Sequence, residues 1–152
     1  MATTIYFDMD GTIANLYSVN NWLEKLRAFD ATPYAEASPM VNMALFARLL
    51  NQLKAKGYRI GIVSWLSKEP TRAYDVAVSK AKISWLKKHL KSVHFDEIHI
   101  IAHGYPKHFV VNDENGILFD DEEANRKAWM KNSDEAIAFD EKNILAILKN
   151  LL

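Results

Sequence analysis

Short apolar runs alternate along this chain with longer segments of helical spacing, and this alternation constrains the fold more than any other feature. Four runs rich in Ile, Val, Phe or Tyr end at polar or turn residues, and they cover residues 5–7, 58–63, 98–102 and 117–119. Such runs are typical of buried strands. Strands that alternate with helices predict a parallel, Rossmann-like sheet covered on both faces, so we expect an α/β fold, a three-layer α/β/α sandwich.

Apolar residues at helical spacing predict three long helices. The first starts near Pro39 and stops at Gly57, the second opens near Pro70, and the third lies at the end of the sequence. Their apolar stripes are Leu45, Leu49 and Leu53; Val76, Ile83, Leu86 and Leu90; and Ile144, Leu148, Leu151 and Leu152. A weaker amphipathic pattern over 19–27 predicts a short helix, whereas residues 29–38 are expected to form a loop.

Composition narrows the chemistry that is open to the chain. Its 152 residues fit a single domain over 1–152, in which 14–38 form a small insertion. The 19 basic and 19 acidic residues cancel, so no net field attracts nucleic acid or an anionic membrane. The absence of cysteine excludes a disulfide framework and a thiol nucleophile or metal ligand. With no apolar run of bilayer length and no basic, apolar leader, we expect a cytoplasmic protein without a membrane partner.

Polar side chains follow the ends of the predicted strands. Asp8 follows the first strand, Ser64 the second and Asp120 with Asp121 the fourth, while Lys107 lies a few residues beyond the third. Ligands of an open parallel sheet bind beyond the carboxyl ends of its strands, so these groups are expected to converge. Any one Asp here is equally explained as a helix N-cap, an alternative that weakens because all four strand ends agree. Three carboxylates without a nearby arginine favour a hard cation, and oxygen-only ligation suits Mg²⁺.

Four segments of the sequence resemble, in order, the motifs of the haloacid dehalogenase-like phosphohydrolases. The run DMDGT at 8–12 resembles their first motif, and Ser64 and Lys107 resemble the second and third. The run DDEEAN at 120–125 is similar to the fourth motif. The resemblance implies a haloacid dehalogenase-like core and a phosphatase that acts on phosphomonoesters through an aspartyl-phosphate intermediate.

The resemblance also implies roles for the acidic residues. Asp8 would attack phosphorus, and Asp10 would protonate the leaving oxygen and later deprotonate the hydrolytic water. Mg²⁺ would be held by the side chain of Asp8, the backbone carbonyl of Asp10 and a residue of the fourth motif. The spacing of that motif assigns Asp121 as the ligand, with Asp120 as the closest competitor.

Binding of the phosphate group would fall to a second set of residues. Ser64 would donate a hydrogen bond to a phosphate oxygen, and Lys107 would neutralise charge on the phosphate and on Asp8. Gly11 and Thr12 are expected to complete the phosphate site, with Gly11 allowing the backbone to turn after the strand.

A finer resemblance connects the chain to the 5′-(deoxy)ribonucleotidases and implies a nucleoside monophosphate as the small phosphorylated substrate. It is carried by residues 82–90 and by the approach to Lys107, although Lys82 and Trp85 are equally explained as ordinary helix residues. The insertion at 14–38 departs from that pattern, because it can hold only one helix and a loop where small-molecule phosphatases of the family carry a sizeable cap. Two alternatives therefore stay open: a phosphatase of nucleic-acid ends or phosphoproteins with an open site, and a non-catalytic phosphate-binding module.

Aromatic and imidazole side chains offer weaker candidates. Trp65, directly after Ser64, and Trp22 in the insertion are candidate substrate contacts, whereas the remaining tryptophans are expected to pack in the core. His99 and His103 have a spacing seen in zinc sites, but a strand and its following loop do not present them on one face. With no clear third ligand, a zinc site is not expected.

Overall fold

A five-stranded parallel sheet forms the centre of the computed structural model, which describes residues 2–68 and 71–152. The strands are β1 (Thr4–Phe7), β2 (Ala14–Asn15), β3 (Ser38–Pro39), β4 (Arg59–Trp65), β5 (Glu97–Ile101), β6 (Ile117–Phe119) and β7 (Ile137–Phe139). The helices are α1 (Trp22–Arg27), α2 (Thr32–Glu36), α3 (Met43–Ala55), α4 (Arg72–His89), α5 (Glu123–Asn132) and α6 (Ile144–Leu151). The sheet has the order β5-β4-β1-β6-β7, and its pairings are all parallel.

Alternation of side chains along the central strands builds the two hydrophobic layers. Ile5 and Phe7 of β1 point to a face covered by α3, α4 and α6, while Tyr6 points to the opposite face, where it meets Trp129 of α5. Successive residues of a strand face opposite sides of a sheet, so a strand with both faces covered is apolar throughout. The predicted α/β/α sandwich is therefore confirmed.

The order of the strands brings three polar strand ends side by side. Strand β1 lies between β4 and β6, with Phe7 paired to Ile62 on one side and to Phe119 on the other. This order places the strands that lead to Asp8, Ser64 and Asp120 next to one another, as the expected convergence of these groups requires. Parallel strands end at the same edge of the sheet, so the side chains that follow them share one rim.

The segment over 14–38 leaves the core and returns to it through a small antiparallel ribbon. Strands β2 and β3 pair Asn15 with Ser38 and Ala14 with Pro39. Between them, α1 and α2 pack on α4 through a separate buried cluster, whose members include Leu26, Tyr34 and Val78. The Nε1 of Trp85 also donates to the carbonyl of Ala37 at 2.7 Å, which holds the end of the segment against α4.

Several elements differ from the sequence-based expectation. Residues 29–38 are not a loop throughout, because Pro33 occupies the first turn of α2, where its missing N–H costs nothing. Helix α3 begins at Met43 rather than near Pro39, since the Asn42 side chain accepts a hydrogen bond from Leu45 N at 3.0 Å and caps it. Strand β7 and helix α5 were not predicted: β7 has only three residues, partly exposed at the sheet edge, which is too short a run to detect.

Helix α4 differs in its start and in its buried face. It begins at Arg72 after an N-cap at Thr71, whereas Pro70, the predicted start, lies outside the described residues. Val76, assigned to the apolar stripe, is 49% exposed, while Lys82 is buried on the face that packs. In the described part of the chain, no helix is both long enough and apolar enough to cross a membrane.

Candidate active site

A buried lysine joins two carboxylates at the rim of the sheet. Lys107 lies in a short 3₁₀ turn after β5, and its Nζ donates to Asp8 Oδ1 at 3.0 Å and to Asp120 Oδ2 at 2.6 Å. Burial lowers the pKa of this ammonium, but the charges of Asp8 and Asp120 outweigh burial and hold the pKa above its usual value. The lysine is therefore charged at neutral pH and fixes the end of β1 against the end of β6.

Three carboxylates meet beside this lysine. Asp8, Asp120 and Asp121 each offer an oxygen, and these oxygens lie within 4.8 Å of one another. Burial, together with the charge of Asp8, raises the pKa of Asp121 to about 8 and that of Asp120 to about 6. Buried carboxylates that also repel one another are a suitable ligand set for a divalent cation, because the charge of the cation offsets the repulsion between them.

The two neighbouring acids of the fourth motif have different surroundings. Asp120 is fully buried, and its oxygens accept hydrogen bonds from Lys107 Nζ, from Asn125 Nδ2 at 3.1 Å and from Glu122 N at 2.9 Å. Asp121 is partly exposed; its Oδ1 lies 3.3 Å from the Thr12 hydroxyl, and its side chain also contacts that of Asp8. Asp120 is thus held by protein donors, while Asp121 retains oxygen lone pairs for a ligand.

The turn after β1 places Gly11 and Thr12 differently from the phosphate-binding role expected of them. The Thr12 hydroxyl is fully buried, donates to Asp8 Oδ2 at 2.9 Å and accepts from Asp121 N at 3.1 Å. The backbone N–H groups of both residues donate within the turn itself, at 2.9 and 3.1 Å. These donors are already used, so the turn positions the carboxylates of Asp8 and Asp121 and offers little to a phosphate group.

Asp10 and Ser64 meet at a second lysine, which sequence reasoning did not place in the site. Lys82 of α4 is 1% exposed, and its Nζ donates to Asp10 Oδ2 at 2.8 Å, to Ser64 Oγ at 2.8 Å and to the Trp65 carbonyl at 2.6 Å. Burial raises the pKa of Asp10, although the charge of Lys82 opposes this rise. Asp10 thus has a cationic partner of its own, separate from Lys107.

A signal for Lys82 was present in the spacing of α4. Val78, Lys82, Trp85 and Leu86 follow at steps of four, three and one, so they share one helix face, and all four are buried. A lysine in the middle of an apolar face requires an acidic partner, because an unpaired buried charge is costly. The sequence contained that requirement but did not identify the partner.

A cavity of about 340 Å³ opens from the carboxylates toward the segment over 14–38. Its lining joins Asp8, Asp10, Lys107 and Asp121 to a group of aromatic residues: Tyr17, Trp22, Tyr34, Trp65 and His103. Tyr17 and Trp22 pack edge to face with ring centroids 5.0 Å apart, and Trp65 lies 4.8 Å from His103. Both tryptophans predicted to contact substrate, Trp22 and Trp65, therefore line the cavity.

The remaining tryptophans and the paired histidines are placed elsewhere. Trp85 and Trp129 are each 1% exposed and pack in the hydrophobic layers. His99 Nε2 lies 2.9 Å from Glu97 Oε1, whereas His103 packs on Trp65, so the two histidines have different partners.

Comparison with solved structures supports the fold. The chain is similar to D,D-heptose 1,7-bisphosphate phosphatase from Burkholderia thailandensis, with a TM-score of 0.55, 12% sequence identity and coverage of 97% of each chain. This likeness confirms the predicted fold class, an α/β sandwich built on a parallel sheet. No protein-family model matches the sequence, and no curated protein matches it.

Proposed function

We propose that this protein is a Mg²⁺-dependent phosphomonoester hydrolase that acts through an aspartyl-phosphate intermediate. The observation that carries the proposal is the position of Asp8. Its carboxylate lies on the cavity wall, held at Oδ1 by Lys107 and at Oδ2 by Thr12, with two further carboxylates beside it. A fixed carboxylate next to a buried ammonium is a suitable nucleophile for an anionic phosphate ester.

Donors for the phosphate group remain at Lys107 and Ser64. Lys107 uses two of its three N–H groups on Asp8 and Asp120, and among the described residues the third has no acceptor. Ser64 Oγ accepts from Lys82, and among the described residues its own hydrogen has no acceptor. Ser64 is fully buried below the residues that line the cavity, so this hydroxyl serves a phosphate oxygen that reaches the floor of the site. We infer that these two groups bind the phosphoryl oxygens while Asp8 faces phosphorus.

The reaction divides between Asp8 and Asp10. A carboxylate oxygen of Asp8 forms a bond to phosphorus as the ester oxygen leaves, and Asp10 supplies the proton that the leaving oxygen takes. Asp10 then removes a proton from water, which attacks the aspartyl phosphate, releases inorganic phosphate and regenerates Asp8. Lys107 and Thr12 keep the Asp8 carboxylate oriented through both steps.

The donor set around Asp8 fits Mg²⁺. Carboxylate oxygens of Asp8 and Asp121, with the backbone carbonyl of Asp10, are hard ligands. Burial, and after it the charge of Asp8, raises the pKa of Asp121, so a cation beside these groups would favour their ionised forms. Asp120, whose oxygens are held by protein donors, is the lesser candidate. When bound, Mg²⁺ supplies charge neutralisation for the phosphate and nucleophile oxygens.

Activity with and without metal tests the proposal. We expect hydrolysis of p-nitrophenyl phosphate in Mg²⁺, loss of hydrolysis in EDTA, and recovery when Mg²⁺ is returned. Asp8→Asn should abolish turnover while the protein stays folded, since an amide is a poor nucleophile, and Asp134→Asn on the exposed surface serves as the matched control. Near-wild-type hydrolysis by folded Asp8→Asn would contradict the mechanism. Binding of phosphate without any turnover by the wild type would favour a non-catalytic module.

For the substrate, we propose a nucleoside monophosphate, with residues 1–152 acting as one domain and 14–38 as a reduced cap. The aromatic lining of the cavity supports this choice, because Tyr17 and Trp22 of the segment and Trp65 of β4 offer ring faces to a base or sugar. The volume of about 340 Å³ suits a small molecule rather than a polymer.

A substrate comparison tests the cap. Trp22→Ala should raise KM for a nucleoside monophosphate more than for p-nitrophenyl phosphate, because the smaller substrate does not extend to the cap. Equal losses for both substrates would make Trp22 structural. Release of phosphate from DNA ends or phosphopeptides, with mononucleotides untouched, would favour an open site.

A further inference from the structure

We propose that Lys82 is a positioning residue that holds Asp10 in place for proton transfer, and that Tyr34 of the 14–38 segment covers it; this inference rests on the proposed phosphatase function. Neither residue belongs to the motifs that identify the site in the sequence. Lys82 lies on α4, 72 residues from Asp10, and reaches it only in the folded protein.

The donors of Lys82 are fully used within the protein. An ammonium group has three N–H donors, and those of Lys82 go to Asp10 Oδ2, Ser64 Oγ and the Trp65 carbonyl, at 2.8, 2.8 and 2.6 Å. Lys107, in contrast, has two acceptors within the described part of the chain and one donor left for a ligand. Lys82 therefore acts on the protein rather than on the phosphate, although both lysines are buried at the same site.

The bonds of Lys82 fix one carboxylate oxygen of Asp10. Ser64 and Trp65 belong to β4, so the sheet anchors the ammonium, and the ammonium in turn anchors Asp10 Oδ2. Asp10 Oδ1 accepts no hydrogen bond from the residues that the structure describes. Asp10 Oδ1 is therefore free to exchange a proton with the leaving group and with water. Because Oδ2 of the same carboxylate is anchored, the orientation of Oδ1 is fixed as well. General acid catalysis depends on such a fixed geometry, because the proton must move within hydrogen-bond reach.

Tyr34 closes the remaining side of the ammonium. Its ring centroid lies 5.1 Å from Lys82 Nζ, and Tyr34 itself is 4% exposed in α2. An aromatic face attracts a cation and excludes water from it. One turn further along α4, Trp85 donates to the Ala37 carbonyl, so the segment that lines the cavity is tied to the helix that carries Lys82.

Leaving-group dependence separates positioning of Asp10 from other roles for Lys82. p-Nitrophenolate leaves without a proton, whereas the ribose oxygen of AMP needs one, so only AMP depends on Asp10 before the leaving group departs. We compare kcat/KM for the two substrates in Lys82→Met, with Lys88→Met on the exposed face of the same helix as the matched control. Thermal melting confirms that each variant is folded.

In Lys82→Met, we expect kcat/KM for AMP to fall about 10²-fold, which is the lower end of the contribution that general acid–base catalysis makes. We expect kcat/KM for p-nitrophenyl phosphate to change little. Inhibition by inorganic phosphate should stay nearly unchanged, because Lys82 has no donor for it and Ser64, held in β4, keeps its own hydrogen for the phosphate when the bond from Lys82 is lost. In an Asp10→Asn background, Lys82→Met should cost nothing further on AMP. If Lys82→Met does not fold, Lys82→Gln, which keeps a neutral donor, takes its place in the same comparison.

Equal loss on both substrates, weaker inhibition by phosphate, or additive losses with Asp10→Asn would each overturn the positioning role. These outcomes leave the phosphatase function intact, because the wild type and Lys88→Met would still hydrolyse both substrates. A wild type that hydrolyses neither substrate would instead overturn the proposed function, and the role of Lys82 with it.

Discussion

Replacing Gly11 with alanine tests the predicted metal site, because the backbone of Gly11 lies against the carboxylate of Asp121. Gly11 has φ +80°, and a Cβ built there lies 2.8 Å from Asp121 Cγ, closer still to Asp121 Oδ2, and 2.9 Å from Tyr17 Cε2. Both neighbours are side chains, so they can rotate away, but Asp121 then leaves the other two carboxylates. We therefore expect the cost to appear mainly in Mg²⁺ binding.

Gly104 provides a control with nearly the same backbone and no crowding. Its φ is +86°, and a Cβ there meets nothing within 4 Å. A left-handed conformation costs a residue with a Cβ about 1–2 kcal/mol, and each kcal/mol lowers Tm by about 2–4 °C for a chain of this size. Gly104→Ala should therefore lower Tm by about 2–8 °C and leave Mg²⁺ affinity unchanged. Gly11→Ala should show a similar or somewhat larger fall in Tm, together with about 10–100-fold weaker Mg²⁺ binding, as when a metal ligand is displaced.

Calorimetric titration with Mg²⁺, combined with thermal melting at zero and saturating Mg²⁺, measures both quantities without relying on turnover. Mg²⁺ should raise the Tm of the wild type and of Gly104→Ala by the same amount, and that of Gly11→Ala by less. If Gly11→Ala binds Mg²⁺ as tightly as the wild type, Asp121 does not need the space above Gly11, and its assignment as the ligand is refuted.

Three further predictions concern the same carboxylates and the core below them. Asp121→Asn should weaken Mg²⁺ binding more than Asp120→Asn does by calorimetry, and the reverse order would make Asp120 the ligand. The second prediction concerns pH. Folding raises the pKa of Asp121 to about 8, so the Asp121 carboxyl keeps, in the folded protein, a proton that it releases near pH 4 in the unfolded chain. The Asp121 carboxyl should therefore lower the stability of metal-free protein from pH 5 to 8 by at most about 1.4 kcal/mol per pH unit. Asp120, whose pKa is raised to about 6, adds to this slope below pH 6. Urea unfolding in saturating Mg²⁺ should remove most of the slope. Gly61→Ala places a Cβ 2.7 Å from the buried ring of Tyr6 and should lower the free energy of unfolding, measured in urea, by about 1–3 kcal/mol. Its Mg²⁺ affinity should stay unaltered, which checks that the damage is confined to the core.

The layered fold and the residues at its rim could be predicted from local sequence patterns. Apolar runs that end at Asp8, Ser64 and Asp120 are local features. A strand with both faces covered is apolar throughout, so it can be recognised without knowledge of distant contacts. Parallel strands then necessarily end at one edge, which is why these residues could be expected to meet. The start of α3 was misplaced because Asn42, rather than Pro39, supplies its cap.

The pairing of the charges at the rim, in contrast, depends on contacts between distant parts of the chain. Asp120 and Asp121 are neighbours in sequence, yet one faces Lys107 and the other faces Thr12, because successive residues leave the strand in different directions. The partner of Lys82 was decided in the same way, since Asp10 lies 72 residues away. Helical spacing marks the buried face of α4, but the acceptor that a buried ammonium meets depends on which strand that face packs against, and packing is a property of the whole chain.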